Sequence, residues 1–120
     1  MAKHEEHDEQ VALFRWWNIQ HPGIKHLMFA IPNGGKRGKV TAFMLKNEGV
    51  RAGVPDIFLA FPVGRFHGLW IEMKSQKGRT SENQDFMLAE LRGQGYDCAV
   101  CHGWDEAREK IQSYLGANKA

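Results

Sequence analysis

Leu69-Trp70-Ile71-Glu72-Met73-Lys74, with Gly53-Val54-Pro55-Asp56 upstream of it, is the part of the chain whose reading decides the fold. In a strand the side chains alternate faces, so Leu69, Ile71 and Met73 point one way while Glu72 and Lys74 share the other. Asp56 to Phe61 reads as a second strand, and the short connection Pro62 to Gly68 predicts a hairpin between the two. Asp56 then starts the partner strand and can sit beside Glu72. Pro55 is tolerated there because the first residue of a strand can lack an amide donor.

Working outward, the polar stretch Ser75 to Thr80 reads as a loop, and Ser81-Glu82-Asn83-Gln84 matches a capping box that opens a helix to about Arg92. Gly93 and Gly95 break the chain before a strand, Tyr96 to Cys101. A last helix, Asp105 to Leu115, is closed by Gly116. On the other side, Glu5 to Gln20 contains no breaker and carries Leu13, Trp16, Trp17 and Gln20 at helical spacing, until Pro22 and Gly23 stop it. Leu27 to Ile31 suits a short strand ended by Pro32-Asn33-Gly34-Gly35, and Lys39 to Glu48 a helix with Gly49 as its stop. This order predicts a single α/β domain over residues 1–120, a mixed central sheet flanked by helices.

At 120 residues, 42% of them apolar, the chain can bury one core without disulfides, and its two cysteines, Cys98 and Cys101, suit a reducing compartment. No apolar run approaches the roughly 20 residues needed to span a bilayer, and Met1 to Gln10 is charged rather than signal-like. The expectation is a soluble protein with no membrane partner, in the cytoplasm of a bacterium or a phage-infected host. The net charge of +2 hides an uneven distribution: Lys36 to Arg79 holds nine Lys or Arg against the three acids Glu48, Asp56 and Glu72. A basic centre with isolated carboxylates suits a polyanion partner, and equally a solvated charged face.

Paired carboxylates on neighbouring strands form an oxygen site for a hard divalent ion such as Mg²⁺, which completes its shell with water and phosphate oxygens. Such an ion polarises a phosphoryl group and supplies a nucleophilic water near neutral pH. A lysine on the same face adds a charge to orient that water or steady the developing phosphate charge. Taken alone, a D…ExK pattern is also what an ordinary cross-strand ion pair looks like.

The wider pattern resembles the PD-(D/E)XK nucleases, and more narrowly the VRR-NUC family. It is carried by Glu9 in the first helix, the Asn33-Gly34-Gly35 turn, Val50-Arg51-Ala52-Gly53-Val54-Pro55-Asp56, Ile71-Glu72-Met73-Lys74 and Gln84 downstream, over roughly Glu5 to Cys101. The resemblance implies a restriction-endonuclease-like fold and a Mg²⁺- or Mn²⁺-dependent DNA endonuclease that leaves a 5′-phosphate and a 3′-hydroxyl. Asp56 and Glu72 would bind the metal, helped by the main-chain carbonyl of Met73, and Lys74 would be the catalytic lysine. Glu9 matches the family's helical acid, which approaches the metal directly or through water; the other reading of Glu9 is a first-turn acid favoured by the helix dipole. Gln84 matches the family's glutamine near the site, or serves only the capping box. Free-standing members are similar to junction resolvases, which implies a structure-selective enzyme, branched DNA as partner and a C₂ homodimer. A monomeric nickase or flap nuclease, and a non-catalytic nucleic-acid-binding module, are the alternatives.

Where the fuller family pattern has a second arginine after Arg51, this chain has Ala52. Arg51, Lys77 and Arg79 are candidate backbone contacts, as are Asn33, Gly34, Lys36, Arg37 and Lys39 of a glycine-rich basic loop that is either a DNA contact or a plain turn. That loop lacks GxxxxGK[ST] and is not a nucleotide site. Cys98-Ala99-Val100-Cys101-His102 matches CxxCH literally, yet strand residues three apart face opposite ways, so shared ligation fails. His4 and His7 do not form HExxH, and the four tryptophans read first as core.

Overall fold

The computed structural model describes residues 2–32 and 39–116, the side chains of 2–4 and 39 aside. Asn33, Gly34, Lys36 and Arg37 lie outside the described residues, and so does the side chain of Lys39.

Helix α1 spans Ala2–Gln20 and is stopped before Pro22. Its fully buried side chains, Leu13 and Trp17, are one turn apart, and the Trp17 indole donates to the Lys25 carbonyl at 3.0 Å. That bond holds the following 3-10 turns, Pro22–Leu27, against the helix end. Strand β1 is only Met28–Ala30; Leu27, expected in the strand, ends these turns instead. Helix α2 follows at Lys39–Asn47.

Strands β2 (Ile57–Leu59) and β3 (Leu69–Lys74) form the expected hairpin, with Ile57 opposite Ile71 and Leu59 opposite Leu69. Helix α3 (Glu82–Gly93) then crosses over to β4 (Asp97–His102), which runs parallel to β3 and sets Lys74 beside His102. The four strands lie in chain order, β1 and β2 antiparallel to their neighbours, so the sheet is mixed. Helix α4 is Trp104–Tyr114.

Alternation along the strands sorts the two faces. Ile57, Leu59, Leu69, Ile71 and Met73 are all buried and join Leu13, Trp17, Ala107 and Ile111 in one cluster, so α1 and α4 cover this face. Burying each such side chain contributes about 1.5–3 kcal/mol, and this layer is the core. The opposite face carries Phe58 stacked on Trp70 with ring centres 4.2 Å apart, then Glu72 and Lys74, with α3 beside β4. Cys101 sits in the α1/α4 core while the Cys98 thiol meets the Leu88 carbonyl of α3, so the two cysteines are on different faces. Burial raises both thiols, Cys98 to about 11 and Cys101 to about 12.

No helix among the described residues is long and apolar enough to cross a membrane.

Candidate active site

Asp56 stands just before β2, where the backbone is already paired: its carbonyl accepts the Ile31 N–H at 2.7 Å. The side chain turns toward β3, and Oδ2 accepts the Met73 N–H at 2.8 Å. This bond fixes the Asp56 carboxylate against the middle of the Glu72-Met73-Lys74 stretch. The approach of the preceding loop is set by Gly53, whose φ of +85° suits glycine and whose missing side chain lets the backbone lie against the first turn of α3.

Glu72 is 3% exposed, which is unusual for a carboxylate. Its Oε2 receives a hydrogen bond from Gln84 Nε2 at 3.1 Å and lies 3.5 Å from Lys74 Nζ. Its Oε1 is buried with no hydrogen-bond partner. Burial pushes the Glu72 carboxyl up to about 8; the Asp56 charge beside it pushes the same way, and Lys74 opposes. A buried acid beside a second carboxylate, with one oxygen left over, is short of positive charge.

Gln84 resolves the choice between cap and site by doing both. Its Oε1 accepts the Ser81 N–H at 2.8 Å while the Ser81 hydroxyl accepts the Gln84 N–H at 3.2 Å, a complete capping box. The amide nitrogen left free by the box reaches Glu72. One residue therefore both starts α3 and ties it to the site.

A cavity of about 520 Å³ opens between α1 and the strand ends, bounded by Glu6, His7 and Gln10 on the helix and by Ala30, Asp56 and Met73 on the sheet side. Glu9 is turned elsewhere: its Oε1 accepts the Trp104 N–H at 2.7 Å and so caps α4, beginning at Gly103 with its φ of +104°. Glu5, one turn earlier, accepts the Gln76 N–H just past β3. The acids of α1 thus divide. Glu5 and Glu9 bind the helix to its neighbours, while Glu6, overlooked in the sequence, lines the cavity with Asp56.

Arg51, Lys77 and Arg79 are exposed, Lys77 and Arg79 on the loop between Lys74 and α3. Among the described residues no three His, Cys, Asp or Glu side chains converge as a metal cluster. Two neighbouring carboxylates, Asp56 before β2 and Glu72 on β3, are nonetheless oxygen donors of the kind a hard cation takes when it keeps several waters. Asp56, Glu72 and the Met73 main chain are the groups that could hold such an ion.

The uncompensated burial of Glu72 predicts how the metal-free protein responds to pH. Its folded-state value near 8 lies above the ordinary 4.5, so the folded state holds a proton that the unfolded chain has released. Stability from this group is full below about pH 4.5 and is lost as pH rises toward 8, by on the order of 2 kcal/mol after relaxation. Thermal melts without metal at pH 5 and pH 8 are expected to show a drop that Glu72→Gln largely removes; equal drops in both proteins would refute the assignment.

A four-stranded mixed sheet with flanking helices, and an Asp/Glu/Lys group where β2 and β3 meet, define a nuclease-type α/β domain. The chain belongs to the VRR-NUC family, whose domain model matches residues 4–105. A solved structure titled as a VRR-NUC domain protein superposes with a TM-score of 0.82 at 26% identity, covering 92% of this chain and 88% of that one. No curated protein matches the chain.

Proposed function

We propose that the protein is a metal-dependent endonuclease that hydrolyses DNA phosphodiester bonds, selects branched structures and works as a homodimer. The observation that carries the reading is the buried Glu72 with its unpartnered oxygen, facing Asp56 and paired with Lys74. Binding alone gives no reason to bury a carboxylate beside a second one with a single lysine to offset them, which disfavours a non-catalytic module.

Asp56, Glu72 and the Met73 carbonyl would hold Mg²⁺ or Mn²⁺. Bound there, the ion supplies Lewis acidity to the phosphodiester and to the water that attacks it. Asp56 is held for this by the Met73 amide, and Glu72 by Gln84. Lys74, 3.5 Å from Glu72, places an ammonium where charge builds on phosphate. Arg51, Lys77 and Arg79 would meet backbone phosphates on either side. So small a domain has little surface for base readout, which favours recognition of DNA shape.

The test is cleavage of an end-labelled four-way junction beside matched duplex and flap, with Mg²⁺, Mn²⁺ or EDTA. Symmetric metal-dependent cuts in the junction are expected. Cutting confined to flap or duplex would remove the junction preference, and saturating binding without cutting under either metal would remove the enzyme.

Glu6→Ala and Glu9→Ala separate the two helical acids. Glu9→Ala strips the cap from α4 and is expected to cost about 1 kcal/mol of stability with cleavage largely kept. Glu6→Ala is expected to leave the melting temperature in place and raise the metal concentration needed for half-maximal cleavage about tenfold. A reversal of these roles in melting curves and metal titrations would return the site acid to Glu9.

A further inference from the structure

The loop from Ser75 to Thr80 leaves β3 directly after Lys74 and leads into α3, whose Gln84 reaches back to Glu72. It carries the exposed Lys77 and Arg79 on either side of Gly78, and among the described residues neither cation forms an ion pair. Exposed connections of this kind are ordinarily the mobile parts of a domain. This one is tied along its length. Gln76 donates its N–H to Glu5 of α1 at 3.1 Å, the Gly78 N–H closes a turn onto the Ser75 carbonyl at 3.0 Å, and the Thr80 hydroxyl donates to Asp85 of α3. Gly78 also packs closely against the start of the loop: a Cβ on it would lie 3.1 Å from Ser75 Oγ and 3.3 Å from the Lys74 Cβ.

The bond that acts between the two cations comes from β4. The Gly78 carbonyl lies 2.9 Å from His102 Nε2, and since a carbonyl only accepts, that nitrogen carries the hydrogen. His102 ends β4 beside Lys74 in the parallel register and is half-buried. Its backbone N–H donates to Glu106 Oε1 of α4 at 2.8 Å, and the same oxygen lies 3.7 Å from Nδ1. The ring is thus steadied on its near side by α4 and presents its far nitrogen to the loop. The histidine of the CxxCH string serves the loop and not ligation.

We propose that His102 is a positioning residue for DNA binding: by fixing Gly78 it holds Lys77 and Arg79 in the arrangement that meets the phosphate backbone. The loop is then ordered during folding, and DNA binding does not have to supply that ordering. This role rests on the reading of Lys77 and Arg79 as phosphate contacts.

Trypsin digestion and DNA binding of the full chain test it. Trypsin cuts after Lys77 and Arg79 only where the loop opens, so His102→Ala is expected to be nicked there about tenfold faster, as for one hydrogen bond lost from a local opening, with cuts at other Lys and Arg unchanged. Its affinity for a labelled four-way junction in EDTA is expected to fall about five- to tenfold, while the cleavage rate at saturating DNA with Mg²⁺ stays within about twofold of wild type. His102→Gln, whose amide N–H can take the place of Nε2, should restore both the trypsin resistance and the affinity. In a Lys77→Ala/Arg79→Ala background, His102→Ala should weaken binding no further, because the cations through which it acts are gone. Unchanged nicking or unchanged affinity in His102→Ala would overturn the proposal. So would a loss that adds in full to that of the two cations, or a lower rate at saturation, which would make His102 act on Lys74 instead. A wild type that binds no DNA, with the loop still opened by His102→Ala, would sink the nucleic-acid reading and this role with it. A wild type that binds and cuts no better than His102→Ala would sink this role alone.

Discussion

Lys74→Ala is expected to lower DNA cleavage by about 10²–10³-fold while junction binding changes little, because the removed charge acts mainly on charge that develops in the transition state. The ammonium lies 3.5 Å from Glu72 Oε2 and its side chain is 13% exposed, so water screens it poorly and its effect on a phosphate is large. The same substitution removes the group that opposes Glu72 protonation, so a second signature follows. In Lys74→Ala the pH at which metal binding becomes strong should move upward, since the ion must displace a proton held more firmly. Single-turnover rates and metal titrations at pH 6, 7 and 8 measure both. A variant with wild-type rates would place the catalytic cation elsewhere, and a variant that merely loses DNA affinity would make Lys74 a phosphate anchor.

The signals the chain wrote locally were legible. Alternation in Leu69 to Lys74 assigned the inward and outward faces, the capping box at Ser81 started α3 within a residue, and the short 62–68 connection specified the hairpin. The azimuth of α1 was not. With Leu13 and Trp17 buried, the stripe extends backward through either Glu9 and Glu5 or Gln10 and Glu6, about 100° apart on the helix. Only docking against α4 and the end of β3 decides between them, and it turns Glu9 to Trp104 and Glu6 to the cavity. The sequence alone offers no choice, since Glu5 with Glu9 and Glu6 with Gln10 are both i, i+4 polar pairs that share a face. Likewise Leu27 belongs by composition to an apolar strand, but the indole of Trp17 captures the Lys25 carbonyl and keeps that segment in 3-10 turns. A contact between residues eight apart in sequence overrides the local preference.

Gly53→Ala is expected to damage stability and chemistry together, and a second glycine provides the control. A Cβ at Gly53 would lie 2.4 Å from the Asn83 carbonyl oxygen and 2.6 Å from its carbon, closer than real contacts allow, at a φ of +85° that already disfavours alanine. At Gly49, φ is +101° but nothing lies within 4 Å, so Gly49→Ala bears backbone strain alone, about 1 kcal/mol. Gly53→Ala adds a backbone-to-backbone clash that neither side can relieve by rotating a side chain, and about 2–4 kcal/mol in total is expected. The relief must come from moving the loop that delivers Asp56 or the turn of α3 that delivers Gln84 to Glu72. Either motion opens the site, so cleavage should fall in Gly53→Ala even well below its melting temperature and stay near wild type in Gly49→Ala. Melting curves and cleavage rates of the two variants side by side check this. Equal losses in both would mean that strain, rather than the close approach of the loop to α3, is what this position contributes.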